Sequence, residues 1–264
     1  MAKEVDPGRL KAPALGRFRA TFGLAALLVL AYFALSQGNL FIEKSLLEAF
    51  SFSALRPLNI VFYMFTHMSV WHLAVNVAAL LFFAAIVETR LSWKDVFGTF
   101  FFSGVLTVLF FLALYPNVSL VGASAGVWGI MASAFVLDVR KALLGFGVIV
   151  VVVLIVFPLG EFAVLGRQAQ LEGTISELEA VRRAAAESGN TEAAARAAGE
   201  KAAAQESAQK LLESKKFASE AVVDPFLHSY AAFFGILYLL VFRRAGMMKL
   251  IKEQKLPFFP GKRA

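Results

Sequence analysis

Charged residues along this chain leave five long stretches without a single one: between Arg19 and Glu43, Arg56 and Glu88, Asp95 and Asp138, Lys141 and Glu161, and Asp224 and Arg243. Each can hold one bilayer-spanning helix of about 20 residues. The third, 42 residues from 96 to 137, can hold two. Six spans are predicted, near 21–36, 72–87, 96–115, 124–137, 142–160 and 225–242, with Pro116-Asn117 breaking the third from the fourth. The first stretch follows a basic head and ends in Ala34-Leu35-Ser36, the order of a signal peptide. It is longer than the usual apolar core of about 7–15 residues, and five more spans follow.

Composition agrees with the pattern. Hydrophobic residues make up 59% of 264, and the mean hydropathy is +0.69, whereas a soluble domain is about 45–50% apolar. A soluble globule, a disordered chain, a nucleic-acid-binding domain and a disulfide scaffold are excluded. The chain has no cysteine, so thiol chemistry and thiolate metal sites are absent. The net charge of +7 matters through its distribution. The head, the loops after the second and fourth spans, and the tail carry sixteen bases, while the short loops on the other side hold only Lys44 and Arg56. By the positive-inside rule both termini are cytoplasmic, and the second, fourth and sixth helices run from outside to inside. The expected location is a prokaryotic cell membrane.

One segment does not belong to the bilayer. From Glu161 to Asp224 there are 64 residues with 11 acids and 8 bases. Leu171, Ile175, Leu178 and Val181 recur at helical spacing, Ser188-Gly189-Asn190-Thr191 reads as a turn with an N-cap, and an Ala-rich helix follows. The expectation is an external helical hairpin, weakly packed because its second arm has few large apolar residues before Leu211 and Leu212. Residues 1–165 and 223–264 then form a six-span membrane domain and 166–222 an external insertion, either a mobile solvated element or a defined binding domain.

Strongly polar side chains inside a span are costly and face a cavity or a partner. The fourth helix is expected to begin Gly122-Ala123-Ser124-Ala125-Gly126. This Gly-x-Ser-x-Gly is compatible with a small-xxx-small packing face of Gly122 and Gly126. The hydrolase nucleophile elbow needs a preceding strand that is missing here. His228 stands near the outer end of the sixth helix, and His72 and Asn76 lie one turn apart on the second. Ser124 lies 14 residues before Asp138, His228 15 before Arg243, and His72 and Asn76 lie 16 and 12 before Glu88. At about 1.5 Å per residue the four heights are roughly 21, 22, 24 and 18 Å above those charges. Three helices running the same way thus place a serine, two histidines and an asparagine in one layer, which points to a catalytic site.

These residues resemble the rhomboid intramembrane proteases. Thr66-His67-Met68-Ser69-Val70-Trp71-His72-Leu73-Ala74-Val75-Asn76 is similar to that family's second-helix signature, and Gly122-Ala123-Ser124-Ala125-Gly126-Val127-Trp128-Gly129 to its nucleophile motif. His228 with Ala231 and Gly235 resembles the sixth-helix motif, and Glu88-Thr89-Arg90 the step that ends the second helix. Ala231 replaces a customary glycine, which predicts a slightly wider gap between the fourth and sixth helices. Leu227 replaces a small residue, and the Trp-Arg pair of the first external loop is missing, with Arg56 a loose substitute.

The resemblance implies an all-α rhomboid-like bundle and an intramembrane serine endopeptidase. Its partners would be membrane-spanning protein substrates and the lipid bilayer, with no nucleic acid and no cofactor or metal. Ser124 would be the nucleophile and His228 the base of a dyad, because no acid is available at that depth. The Ser124 backbone N–H, His72 and Asn76 would form the oxyanion hole, supported by Gly122, Gly126 and Trp128. Trp128, one turn below Ser124, either stacks on the imidazole or is an ordinary core aromatic. His67 is expected to support the first loop. The fifth helix would act as a gate, modulated by the insertion. Rival readings are a catalytically silent rhomboid-like protein that binds membrane helices, and a transporter. The transporter lacks an intramembrane carboxylate and an inverted repeat. Metal catalysis lacks ligands at workable spacing.

Overall fold

The computed structural model describes residues 18–116, 118–220 and 225–253. The head bases Lys3, Arg9, Lys11 and Arg17, together with Asn117, Asp224 and the tail beyond Glu253, lie outside the described residues. Among those described the chain is helical, with isolated antiparallel bridges and no β-strand. Helix α1 (Arg19–Ser36) is followed by short α2 (Lys44–Phe50) and two 3-10 turns. Then come α3 (Val70–Arg90), α4 (Trp93–Leu114), α5 (Ser124–Leu137), α6 (Val139–Glu187), α7 (Thr191–Glu220), α8 (Pro225–Phe242) and α9 (Arg244–Glu253).

Among the described residues four helices, α1, α3, α4 and α6, are long and apolar enough to cross a membrane. A fifth crossing is made if α8 and α9, bent by 105° at their junction, count as one span. The predicted six exceeds this because α5 is short. Its 14 residues reach about 21 Å, against about 30 Å of hydrocarbon. The approach to α5 is extended chain, held by the long α1–α3 connection. Phe52 and Leu120 exchange backbone hydrogen bonds of 2.9 Å, and the Gly122 N–H donates to the Tyr63 carbonyl at 2.8 Å. These backbone groups find partners in protein rather than in another helical turn.

The charges that bound the apolar runs tie helices together. The Glu88 carboxylate at the end of α3 accepts from the Ala20 N–H (3.1 Å), the Thr21 N–H (3.0 Å) and the Thr21 hydroxyl (2.7 Å). It thereby satisfies free N–H groups at the positive end of α1. Arg90 pairs with Asp138, whose other oxygen caps α6 by accepting from the Lys141 N–H. Buried Asp95 on α4 accepts from Tyr238 and Arg243 at the end of α8, and from Ser92.

Helix α6 runs 49 residues without a break, about 74 Å, through the predicted boundaries at 160 and 165. No structural joint separates the membrane helix from the first arm of the hairpin. Gly189 (φ +75°) turns the chain, and Asn190 caps α7 by accepting from the Ala193 N–H at 3.0 Å. Leu171, Ala185 and Ala197 are buried, whereas Val181, predicted to belong to the apolar stripe, is 54% exposed. Small alanines let the arms approach. Lys201–Glu179 and Lys215–Glu161, each 2.7 Å, join them. Arg182, Lys201 and Arg183 together hold the Glu179 carboxyl well below the usual carboxylate range.

Candidate active site

Ser124 is the first residue of α5, half-buried, with Ala123 at the N-cap. The helix therefore starts where the predicted fourth span starts, and Gly122 and Ala123 of the motif precede it. The first backbone bond onto this end is from the Val127 N–H to the Ala123 carbonyl, 3.0 Å. The N–H groups before Val127 have no carbonyl a turn earlier to accept them, and they present the positive end of the helix beside the serine hydroxyl.

Gly122 lies outside the helix, at φ +104°, a conformation that side-chain-bearing residues rarely adopt. A Cβ there would come within 2.7 Å of His72 Cε1 and 3.1 Å of Nε2. Its role is thus a turn that lets the His72 ring lie against the backbone entering Ser124, and it is not one step of a helical packing stripe. Gly126 does sit at a close contact, where a Cβ would fall 2.6 Å from the Phe100 ring of α4.

On α3, Ser69 caps the helix by accepting from the His72 N–H at 3.3 Å. Asn76, one turn on, is buried and donates an amide N–H to the His72 carbonyl at 2.8 Å. One of its two donors is spent there and one is left. His67 is fully buried, its Nε2 accepting from the Ala123 N–H at 3.4 Å, with its ring 5.1 Å from that of His72.

Trp128 and His228 stack, with ring centroids 5.0 Å apart and planes at 25°. Trp128 is one turn from Ser124 on the same face of α5, so α8 presents His228 over the face that begins with the serine. Leu227 and Ala231, flanking His228, pack with Ala125 and Phe111. His72 and His228 are within electrostatic reach of each other. The structure therefore gathers Ser124, His72, Asn76, Trp128 and His228 around the N-terminal end of α5. A hydroxyl, two imidazoles and unspent N–H donors in one apolar setting are the elements needed for nucleophilic attack and stabilisation of a developing oxyanion. Among the described residues, no group of three or more His, Cys, Asp or Glu could hold a metal ion.

The helices carrying these groups touch backbone to backbone. A Cβ on Gly235 of α8 would fall onto the Gly129 carbonyl of α5, and the Ser133 hydroxyl donates to the Gly235 carbonyl at 3.1 Å. Ala231 is fully buried, and its carbonyl lies 3.2 Å from where a Gly129 Cβ would stand, so α5 and α8 approach closely there. Sequence reasoning missed the buried row Asp95, Thr99, Ser103 and Thr107 on α4, along which the Ser103 hydroxyl backs onto Gly129. Their spacing of four residues was the available signal. It also underrated His67, which reaches the N-cap of α5.

The family model for the Rhomboid domain matches residues 55–176. The match includes α3, α4 and α5 with Ser124, and ends before His228. No curated protein and no solved structure matches the chain. The Rhomboid match lies across α3 and α5, two of the helices that bear the polar cluster, and supports membership of the rhomboid family.

Proposed function

We propose that this chain is an intramembrane serine endopeptidase that cuts single-span membrane proteins within or near their transmembrane helix. Rhomboid proteins are usually intramembrane serine proteases. The observation that carries the reading here is the Trp128–His228 stack on the face of α5 that starts at Ser124. In this reading the Ser124 hydroxyl attacks the scissile carbonyl, and His228 takes its proton and returns it to the leaving amine. Water then resolves the acyl-enzyme by the same route. Trp128 holds the imidazole by its face, the task an acid performs in a triad. The Ser124 N–H, His72 and the free Asn76 donor meet the oxyanion.

The chain crosses the bilayer six times, with short α5 ending below the outer surface, and water reaches Ser124 from that side. Helix α6 is the gate. The share of its apolar window buried in the protein is 11%, against 39–44% for α1, α3 and α4, and its Gly160 is closed against Trp71, the neighbour of His72. The hairpin stiffens the outer end of this gate through Lys215–Glu161.

The test is cleavage of a single-span reporter in liposomes by the purified chain, Ser124→Ala and His228→Ala. Wild-type cleavage that falls at least ~10³-fold in both variants supports the dyad. Cleavage that survives Ser124→Ala removes the site assignment. Reporter that co-purifies uncut with every form indicates a silent helix-binding protein.

A further inference from the structure

The end of the bundle away from Ser124 carries a second polar layer, and its charges do not balance. Helix α9 turns 105° from α8, so it runs nearly across the apolar helices rather than along them. Met247 is buried, Leu250 and Ile251 pack against the core, and a Cβ on Gly246 would stand 3.8 Å from Leu91 at the end of α3. Met247, Leu250 and Ile251, three and four residues apart, form one apolar face turned into the bundle. Arg244 and Lys249 are left exposed.

The acids of this layer are drawn inward. Glu88 is taken by the start of α1, Asp138 by Arg90 and Lys141, and Asp95 by Arg243 and Tyr238. Glu253 closes α9. The exposed bases Lys94, Arg140, Arg244 and Lys249 have no ion-pair partner among the described residues. The pairs that consume the acids bring these bases to one end of the bundle. Lys94 precedes Asp95, Arg244 follows the Arg243 that binds it, and Arg140 stands two residues after Asp138, whose partner Arg90 precedes Leu91. The positive-inside bias accounts for the number of bases on this side. It does not account for a helix lying across the spans, or for acids paired internally while these bases stay unpaired.

Apolar surface adjoins each base. Trp93 is beside Lys94, Leu143 and Leu144 follow Arg140, and Val241 and Phe242 precede the Arg243–Arg244 step, each 50% to 65% exposed. A cationic foot below an apolar wall fits a molecule with acyl tails and an anionic head. A free phosphate would use the foot and leave the wall bare. We propose that α9 and the bases around it bind the headgroups of anionic phospholipids in the adjacent leaflet. This surface lies at the far end of α5, whose 14 residues set it about 21 Å from Ser124, and its role is independent of whether the chain cuts peptides.

The test titrates phosphatidylglycerol and phosphatidylcholine against the full-length chain in uncharged detergent and counts bound lipids by native mass spectrometry. A base near an anionic surface contributes about a five-fold gain. The wild type is therefore expected to favour phosphatidylglycerol by at least about 10-fold, and less as salt is raised. Arg244→Gln/Lys249→Gln lowers that preference about 10-fold, and the charge-keeping Arg244→Lys/Lys249→Arg retains it. Arg196→Gln/Lys210→Gln, which removes two bases from the hairpin, leaves it unchanged. Glycerol phosphate, the head without the tails, does not displace the lipid at matched ionic strength. A wild type without preference overturns the proposal, a result that needs no variant to fold. So does a preference that survives Arg244→Gln/Lys249→Gln, one lost equally in the hairpin variant, or displacement by glycerol phosphate, which marks a bare-anion site. Self-association of the chain in place of lipid binding would give this face to a second copy and equally overturn it.

Discussion

Gly122 meets two constraints that no other residue type satisfies together. Its φ of +104° lies where a side chain is strained, and the space a Cβ would need is taken by the His72 ring. Gly122→Ala therefore both strains the turn, at about 1–2 kcal/mol, and displaces a predicted oxyanion donor, whose loss typically costs about 10²–10³ in rate. The expected outcome is a lower melting temperature in micelles together with a cleavage rate reduced about 100-fold. Ser124→Ala, by contrast, abolishes turnover with little effect on melting. A Gly122→Ala protein with wild-type turnover would show that His72 is not held against this peptide. In the sequence Gly122 looked like half of a helical packing pair, because spacing carries no information about the sign of φ. The Trp128–His228 stack, in contrast, was one of two readings open from the i,i+4 relation to Ser124.

At the scale of elements, α5 is the pillar of the site, and its contact with α8 is set by glycine. Gly235 lies directly on the Gly129 backbone, which cannot move aside as a flexible side chain would. Gly235→Val must push α8 away, carrying His228 off the face of Ser124 and breaking the Ser133–Gly235 hydrogen bond. Overpacking of this kind costs about 1–3 kcal/mol. The expected result is a lowered melting temperature and near-complete loss of cleavage, whereas Ser133→Ala alone loses about 0.5–1.5 kcal/mol and keeps most activity. Equal activity in Gly235→Val and the wild type would mean that the dyad does not depend on this contact. The apolar runs located α1, α3, α4 and α8 closely, since burial in lipid demands an uninterrupted hydrophobic stretch. They could not reveal how the chain before Ser124 is held, because extended chain buried inside protein is as apolar as a helix. Nor could they show that α6 passes unbroken through the change from apolar to charged composition. Both faces of that change favour helix, one in lipid and one as Ala-rich sequence with charge pairs four residues apart.

For the whole molecule, the charge pattern and the helix ties combine into one orientation. Arg90–Asp138 and Asp95–Arg243 join the ends of α3, α4 and α8 and the start of α6, so the boundary charges form one layer, and the positive-inside rule predicts a cytoplasmic position for it. Of the roughly 74 Å of α6, about 30 Å is needed to cross the hydrocarbon. The turn at Ser188 then stands some 40 Å beyond the opposite surface, on the side from which water must reach Ser124. Because the chain has no cysteine, this arrangement is open to single-site labelling. Ser188→Cys is expected to react with a membrane-impermeant maleimide added to intact cells, and Lys94→Cys, at the exposed start of α4, only after the membrane is opened. The reverse pattern would place the hairpin in the cytoplasm. It would turn the mouth of the site inward and require that substrates be cut on the cytoplasmic side. Labelling of both positions in intact cells would mean that the helices do not share one fixed orientation. The expected pattern makes the hairpin an external lever on α6, so a partner that grips residues near Ser188 acts on the gate through a single continuous helix.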